Sequence, residues 1–405
     1  MNKKISLGIT LGLMAITAAI TFIITGNLSL EMFNSKIKSV SEKQEIYSKL
    51  SEIDTYIRAH CLDSIDETAL IDGMISGYVE GLGDPYAEYI TAEESARRAE
   101  LQTGVSVSLG FDYKKSSGRY ITITSVSPQS SAEEEGLMSG DIITAVNDID
   151  VLAYEGGYDE AIKQFDCTVG TTVKLYVRRV GDDNRTNFIR YTVTAENSEK
   201  ITVTGRLIDS AGYVRITDFT DKTESQLKAV LDELISSGAL SLIFDVRGCS
   251  STNISALEAS LDHILGAGEI VKAYYADGTV ETVVTCTEAE KITLPMAVLV
   301  TQTTSDCGEL FAFALRDNAG AQCVGKTTAG HGYLRSSYKC SDGSVIIFSS
   351  AVLQTSGSAD FDGEGLHPQY DVSLPDNFDL NNVSEEAQLM TDTQLIKALE
   401  ITASE

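Results

Sequence analysis

Two runs of almost unbroken apolar character, LSLIFDV (Leu240–Val246) and LPMAVLV (Leu294–Val300), limit the fold of this chain more than any other feature. A strand that alternates polar and apolar residues can keep one face in water. A strand without that alternation has to be covered on both faces. Each run is followed by a stretch with helical character, NISALEASLDHIL after the first and GELFAFALRDN after the second. An earlier strand, AGYVRITDFT, leads into DKTESQLKAVLDELISSG, where Leu227, Val230, Leu231 and Leu234 share one helical face. Thr223 and Gln226 have capping-box spacing at the start of that helix, and Gly238 stands at its end. Strands alternating with helices require crossover connections and a partly parallel sheet. From about Ile201 to Pro375 the chain is therefore expected to form an α/β core with a mixed sheet. SVIIFSSAVLQT adds a late β segment to it.

The remaining sequence is too long to belong to that core alone, since 405 residues suggest two or three domains. From Val105 to about Val193, short β-type runs (VSVSLGFDY, RYITITSV, DIITAVN, TVKLYVRR) with one helix-like piece, GYDEAIKQF, indicate a small α+β module. Between Ser39 and Arg98 the pattern is helical and polar. Leu50, Ile53 and Ile57, then Leu70, Met74, Ile75 and Val79, form apolar stripes, GLGDPY breaks the helix, and Thr91 is placed as the N-cap of its restart.

At the N-terminus, Lys3 and Lys4 precede an uncharged run from Ile5 to Thr25. About 20 residues of helix cross a bilayer, so the run reads as an uncleaved signal anchor, with a cleaved signal peptide as the alternative. The leading lysines favour a cytoplasmic N-terminus and an extracytoplasmic body. With 59 acidic against 31 basic residues and a net charge of −28, nucleic acid is excluded as a partner for the bulk of the chain. Seven cysteines are scattered without a CxxC pair, so no metal site or cofactor is expected, and the odd number leaves at least one thiol unpaired within the chain.

SLGF (Ser108, Leu109, Gly110, Phe111), followed by GLMSGDIITAVND, resembles a PDZ domain. The resemblance implies that this loop holds the C-terminal carboxylate of a peptide or protein on its backbone N–H groups. Ser108 stands where the family's first glycine does. GLGDPYAEYITAEE, GYVRITDF, LIFDVRG, the segment from MAVLV through ELFAFALRDNAGAQCVGKTTAGHGYLR, and GEGLHPQYDV together resemble the C-terminal processing peptidases, or tail-specific proteases. The resemblance implies a helical segment, a PDZ domain and an α/β catalytic core. The expected organisation is a cytoplasmic N-terminus with signal-anchor helix over 1–27, a helical segment over 28–100, a PDZ domain over 101–195, a peptidase-like core over 196–380 and an acidic C-terminal helix and tail over 381–405.

That family works through a serine nucleophile, a lysine base and a glutamine that positions the lysine. Aligning the family's glutamate with Glu309 puts Asp306 at the nucleophile position, His331 at the lysine position and Arg335 at the glutamine position. Asp306 and His331 lie 25 positions apart, the family's spacing without a gap. An ionised carboxylate cannot attack as an activated serine does. Gly248-Cys249-Ser250-Ser251-Thr252 also replaces the Asn-Pro-Gly-Gly-type loop that shapes the oxyanion site. Ser305 and Cys307 flank Asp306 and are the substitute nucleophiles that chemistry would choose, with His331 as base. One residue at a helix start is about 100° of rotation, so neither is expected to point where Asp306 points. Asp306 and Glu309 also have the spacing of a plain capping box. His60, His263 and His367 read as surface or packing residues, and Lys326 as a surface lysine.

Three readings follow. The first is a pseudo-peptidase that binds peptide C-termini or partner proteins. The second is an active hydrolase using Cys307 or Ser305 with His331. The third is a scaffold that forms a homodimer through its helical ends.

Overall fold

The computed structural model describes residues 46–403, apart from 117–118, 128–129, 181–184, 290, 358–359, 377 and 381–390, together with residues 21, 25 and 44. The expected anchor helix lies almost entirely outside the described residues. Among those described, no helix is long and apolar enough to cross a membrane. The chain divides into one unit ending at Ile75 and a second running from Ser76. In the first unit a helix, α1, covers residues 46–60, and its predicted stripe of Leu50, Ile53 and Ile57 is exposed. α2 (Glu67–Glu80) follows it.

After the end of α2, which runs into the second unit, comes a strand that the sequence pattern did not indicate. β1 (Glu88–Ile90) pairs antiparallel with a late strand of the core, so residues after Gly83 belong to the core fold and not to a separate helical segment. Asp84 fixes this placement by accepting hydrogen bonds from the Ser349 N–H (2.7 Å) and hydroxyl (2.9 Å). α3 (Ala92–Gln102) restarts the helix with Thr91 as its N-cap, accepting from Glu94 N–H as expected. β2 (Val105–Ser108) leads into the next module.

That module is a sheet of β3 (Phe111–Lys115), β4 (Ile121–Val126), β5 (Ile142–Val146), β7 (Thr172–Val180) and β8 (Thr186–Thr194), with β6 (Ile149–Asp150) on β5. Two short helices, α4 (Ser131–Glu134) and α5 (Tyr158–Ile162), complete it. Ile121, Ile143, Leu175, Val177 and Val193 fill its core. β9 (Glu196–Glu199) pairs with β2, so the chain enters and leaves the module through one two-stranded connector.

The α/β core begins with β10 (Val203–Ile208), β11 (Ala211–Ile216), α6 (Thr223–Ser236), β12 (Ser241–Asp245) and α7 (Ile254–Asp262). It continues with β13 (Gly268–Tyr275), β14 (Val280–Cys286), β15 (Met296–Val300), α8 (Cys307–Ala319) and β16 (Gln322–Gly325). β17 (Tyr333–Lys339), β18 (Val345–Thr355), β19 (Tyr370–Asp371) and α9 (Thr393–Thr402) close it. Six strands form the main sheet in the order β10-β11-β12-β15-β16-β19, parallel except for the first pair. β1, β18, β13, β14 and β17 form a second, antiparallel sheet.

The two apolar runs contain the central strands β12 and β15, and every residue from Ser241 to Asp245 and from Met296 to Val300 is buried. The strand period of two sends alternate side chains to opposite faces. Leu242, Phe244, Val298 and Val300 pack with α6, α7 and α8, while Ile243, Ala297 and Leu299 pack with α9. The expected capping box at α6 is not formed. Thr223 is already helical, and the Gln226 carbonyl accepts from the Thr202 (2.8 Å) and Val203 (3.2 Å) N–H groups instead, tying the helix to β10.

α9 is held to the sheet by a buried ion network. Arg247, just beyond β12, is fully buried and donates to Asp245 and to Asp392, the N-cap of α9, at 2.7 Å each. Arg215 and the Tyr213 hydroxyl also reach Asp245. Burial alone would raise the Asp245 pKa, but Arg247 and Arg215 overcome it and hold the carboxyl at about 2. This network should show in two ways. Removing one member leaves a buried charge, so Asp392→Ala is expected to cost about 3–5 kcal/mol in urea unfolding. The stabilisation owed to Asp245, roughly 2–3 kcal/mol, should be complete above the ordinary carboxyl pKa near 4 and disappear as pH falls through about 2.

Candidate active site and the SLGF-loop cleft

After β15 the chain turns sharply into α8. Thr304 braces the turn, its hydroxyl donating to Val246 O at 3.1 Å. Asp306 sits at the corner with φ +54° and ψ −121°, a left-handed backbone that costs a side-chain-bearing residue of order 1–3 kcal/mol. An ordinary N-cap is extended, so the capping-box reading of Asp306 captures only part of its state. Such a strained strand-to-helix corner is the way a nucleophile is lifted clear of a sheet.

The carboxylate of Glu309, completely buried, organises the surroundings. It accepts from Gly330 N–H (2.6 Å), His331 N–H (2.9 Å), the Thr328 hydroxyl and, at 3.3 Å, Asp306 N–H. One side chain thus fixes both the corner and the loop that carries His331. Glycine is required on both sides of that histidine. A Cβ at position 330 would lie 2.9 Å from Gly365 N, and one at position 332 would lie 2.6 Å from Asp362 N.

The three positions singled out by the alignment come together in space. The Asp306 carboxylate receives a hydrogen-bonded ion pair from Arg335 Nη2 on one oxygen. His331 Nδ1 lies 3.1 Å from the other oxygen, which also accepts from the Ser305 hydroxyl at 3.0 Å. Ser305 thus comes closer to the Asp306 carboxylate than the rotation argument suggested, but its hydroxyl is engaged by an acceptor. Cys307 packs with the core and is buried, at the floor of the pocket that opens over the cluster. Burial, with Cys249 adding to it, pushes its thiol well above the ordinary range. That is the wrong direction for a thiolate nucleophile at neutral pH.

The replaced loop also takes up the corner's backbone. Ser305 N–H donates to Cys249 O (3.0 Å) and Cys307 N–H to Ser251 O (2.9 Å). The N–H after the nucleophile is the donor expected to face an oxyanion, and here a carbonyl occupies it. Gly308 permits the contact, because a Cβ there would lie 2.7 Å from Cys249 O. Tyr86, from the GLGDPY segment, sets its ring edge-on to His331 at 5.1 Å and donates to Asp362 at 2.9 Å. Burial and that hydrogen bond push its hydroxyl up to about 12, so it stays a donor at neutral pH. A pocket of about 250 Å³ opens over the cluster, with Arg98 and Gln102 of α3 on one side and Tyr333, Arg335 and Ser337 of β17 on the other. Lys326 is remote, paired to Asp371.

At the other candidate site, Leu109 and Phe111 are buried in the core of the small module and Gly110 turns with φ +81°. Gly110 N–H donates to Ser108 Oγ at 3.1 Å, so the residue in the first-glycine position takes one of the loop's donors for itself. The loop borders a cleft of about 490 Å³. β3, which follows it, pairs only with β4 among the described residues, leaving its other edge open to an added strand.

Comparison with known proteins bears on all three parts. Peptidase family S41 matches residues 210–372, a PDZ domain matches 107–189, and the activating protease CtpB N-terminal domain matches 10–94. The carboxy-terminal processing protease CtpA of Bacillus subtilis is 27% identical over 363 residues, covering 89% of this chain and 75% of that protein. The chain belongs to the C-terminal processing peptidase family with a PDZ domain. A probable CtpA-like serine protease of Staphylococcus haemolyticus is likewise 27% identical over 90% of this chain and 72% of its own. The solved structure of a putative S41 protease from Bacteroides fragilis agrees in fold, with a TM-score of 0.53 at 15% identity over 85% of this chain and 93% of that one.

Tyr86 was missed as part of the site, and Glu309 was legible as the family's aligned glutamate and as the third helical residue of a capping box but not as the group that ties the corner to the His331 loop. Tyr86 had a signal in the GLGDPY segment, but nothing local says that it reaches a loop more than 240 residues away. Replacing Glu309 by Gln removes the charge from its four hydrogen bonds and should lower the unfolding free energy by about 1.5–3 kcal/mol. The exposed Glu364→Gln should stay within about 0.5 kcal/mol of the parent in the same urea titration.

Proposed function

We propose that this chain is a non-hydrolysing member of its family, a pseudo-peptidase that binds the C-termini of peptides or proteins through its PDZ domain. The apolar N-terminal run would hold it at the membrane with its body extracytoplasmic. The observation that carries the reading is the neutralised Asp306 on the strained corner. In the aligned register a carboxylate replaces the nucleophile, Arg335 holds it as an ion pair, and His331 Nδ1 lies in hydrogen-bond contact with it. A carboxylate so engaged has no proton for a base to remove and is a poor nucleophile toward a peptide carbonyl.

Each component of an alternative hydrolase is compromised. His331 has Asp306 as its polar side-chain neighbour rather than a hydroxyl. Ser305 donates to that same carboxylate, and the Cys307 thiol is buried and held neutral. Even a rescued nucleophile would meet an oxyanion donor already spent on Ser251 O. Loss of one such donor alone costs about 10²–10³ in rate.

The PDZ side keeps what binding needs, a cleft beside the SLGF loop and an open strand edge at β3. Incubating the full chain with an unfolded protein such as reduced casein should give no fragments by mass spectrometry. Calorimetry with free-acid peptides should give saturable binding that Asp306→Ser leaves unchanged. Fragments that vanish in Ser305→Ala, Cys307→Ala or His331→Ala would establish the hydrolase reading instead.

A further inference from the structure

The cleft beside the SLGF loop carries a charge that a carboxylate-binding loop would not be expected to tolerate. β2 and β9 pair so that Ser108, the first residue of the loop, stands directly opposite Glu196. Directly paired residues on neighbouring strands have Cβ atoms about 4.5–5.5 Å apart. Glu196 also lines the cleft.

The other charge lining the cleft is balanced, since Glu199 is paired to Lys222 at 2.8 Å. Glu196 is exposed, and its carboxylate has no hydrogen-bond or ion-pair partner among the described residues. Of the hydroxyls lining the cleft, Ser130 donates to Ser127 O and Ser108 Oγ accepts from Gly110 N–H, and neither carries a charge that would offset Glu196. A peptide carboxylate seated on the loop would therefore meet one uncompensated negative charge at close range. It would do so on a chain whose net charge is −28. Like charges at an interface disfavour the wrong ligand as effectively as contacts favour the right one.

We propose that this cleft selects peptides carrying Lys or Arg within their last two residues, with Glu196 as the specificity-determining residue. The terminal carboxylate takes the backbone donors that Ser108 leaves to the loop. The neighbouring basic side chain lies against Glu196 and supplies the missing counter-charge. A terminus with acidic residues in those positions adds a second repulsion. The proposal rests on the reading of the PDZ domain as a C-terminus binder, and the test separates the two.

The experiment is fluorescence-anisotropy binding of the full chain to short peptides identical except at the last two residues, Ala-Lys, Ala-Ala or Ala-Glu, each as free acid and as amide. The expected result is that the Ala-Lys acid binds about tenfold more tightly than the Ala-Ala acid at low salt, with Ala-Glu weakest. The preference should shrink in about 0.5 M salt and in Glu196→Gln, and should reverse toward Ala-Glu in Glu196→Lys. Glu196 is exposed, so these variants should keep the parent's circular dichroism spectrum. Acid-over-amide discrimination without a basic preference, or a basic preference untouched by Glu196→Gln, would overturn this proposal and leave C-terminus binding standing. Equal binding of acid and amide would overturn both.

Discussion

The buried carboxylate of Glu309 is the interaction on which the site depends. A charge at that depth is tolerated only because several donors converge on it, and its donors come from two separate places in the chain. Asp306 N–H belongs to the corner before α8, while the Thr328 hydroxyl and the Gly330 and His331 N–H groups belong to the loop after β16. Parallel strands alone would leave those segments free to vary, since β15 and β16 fix only their starting points. Glu309 sets their separation, and through it brings the side chains of positions 306 and 331 into hydrogen-bond contact. Gly330 and Gly332 then allow the loop to lie directly against the segment from Phe361 to Gly365.

On this frame the proposed loss of catalysis reads as an exchange of charges more than as damage. The corner keeps its strained backbone, and the loop keeps its register. Arg335 on β17 and His331 bracket the Asp306 carboxylate, so a negative group has been placed where a neutral hydroxyl would have to sit. Breaking one partner of such a partly buried arrangement is costly, whereas replacing the whole set by apolar groups often is not. The cluster is thus better understood as fixing one conformation of the pocket than as a large source of stability. The loop from Gly248 to Thr252 supports the same view, because its carbonyls cap the corner's N–H groups that a reacting carbonyl would need.

Much of the architecture was legible in the sequence because it rests on burial. LSLIFDV and LPMAVLV could only be central strands, and the helices after them had to cover the sheet. The SLGF loop and the GDIITAVN strand were equally plain. The parts that were not legible depend on contacts between distant segments. EYI is too short to declare itself a strand and becomes one only by pairing with Val345–Ile347. Thr223 and Gln226 have capping-box spacing, yet Gln226 finds better partners in the N–H groups of Thr202 and Val203. Cys307 looked like the most reactive neighbour of Asp306, and its burial, which no local pattern reveals, makes it the least. The expected anchor over 5–25 falls outside the described residues but for Thr21 and Thr25, so its place in the account is a proposal.

The central claim is that both the nucleophile position and the oxyanion donor have been given up. The most direct measurement is turnover of an unfolded protein by the variant Asp306→Ser/His331→Lys/Arg335→Gln, with and without an Asn-Pro-Gly-Gly segment in place of Gly248–Ser251. The account predicts no fragments from the parent and none above background from the three-residue variant, because Cys307 N–H remains bound to Ser251 O, with cleavage appearing only once the loop is also exchanged. Cleavage by the parent chain, or by the three-residue variant alone, would contradict it.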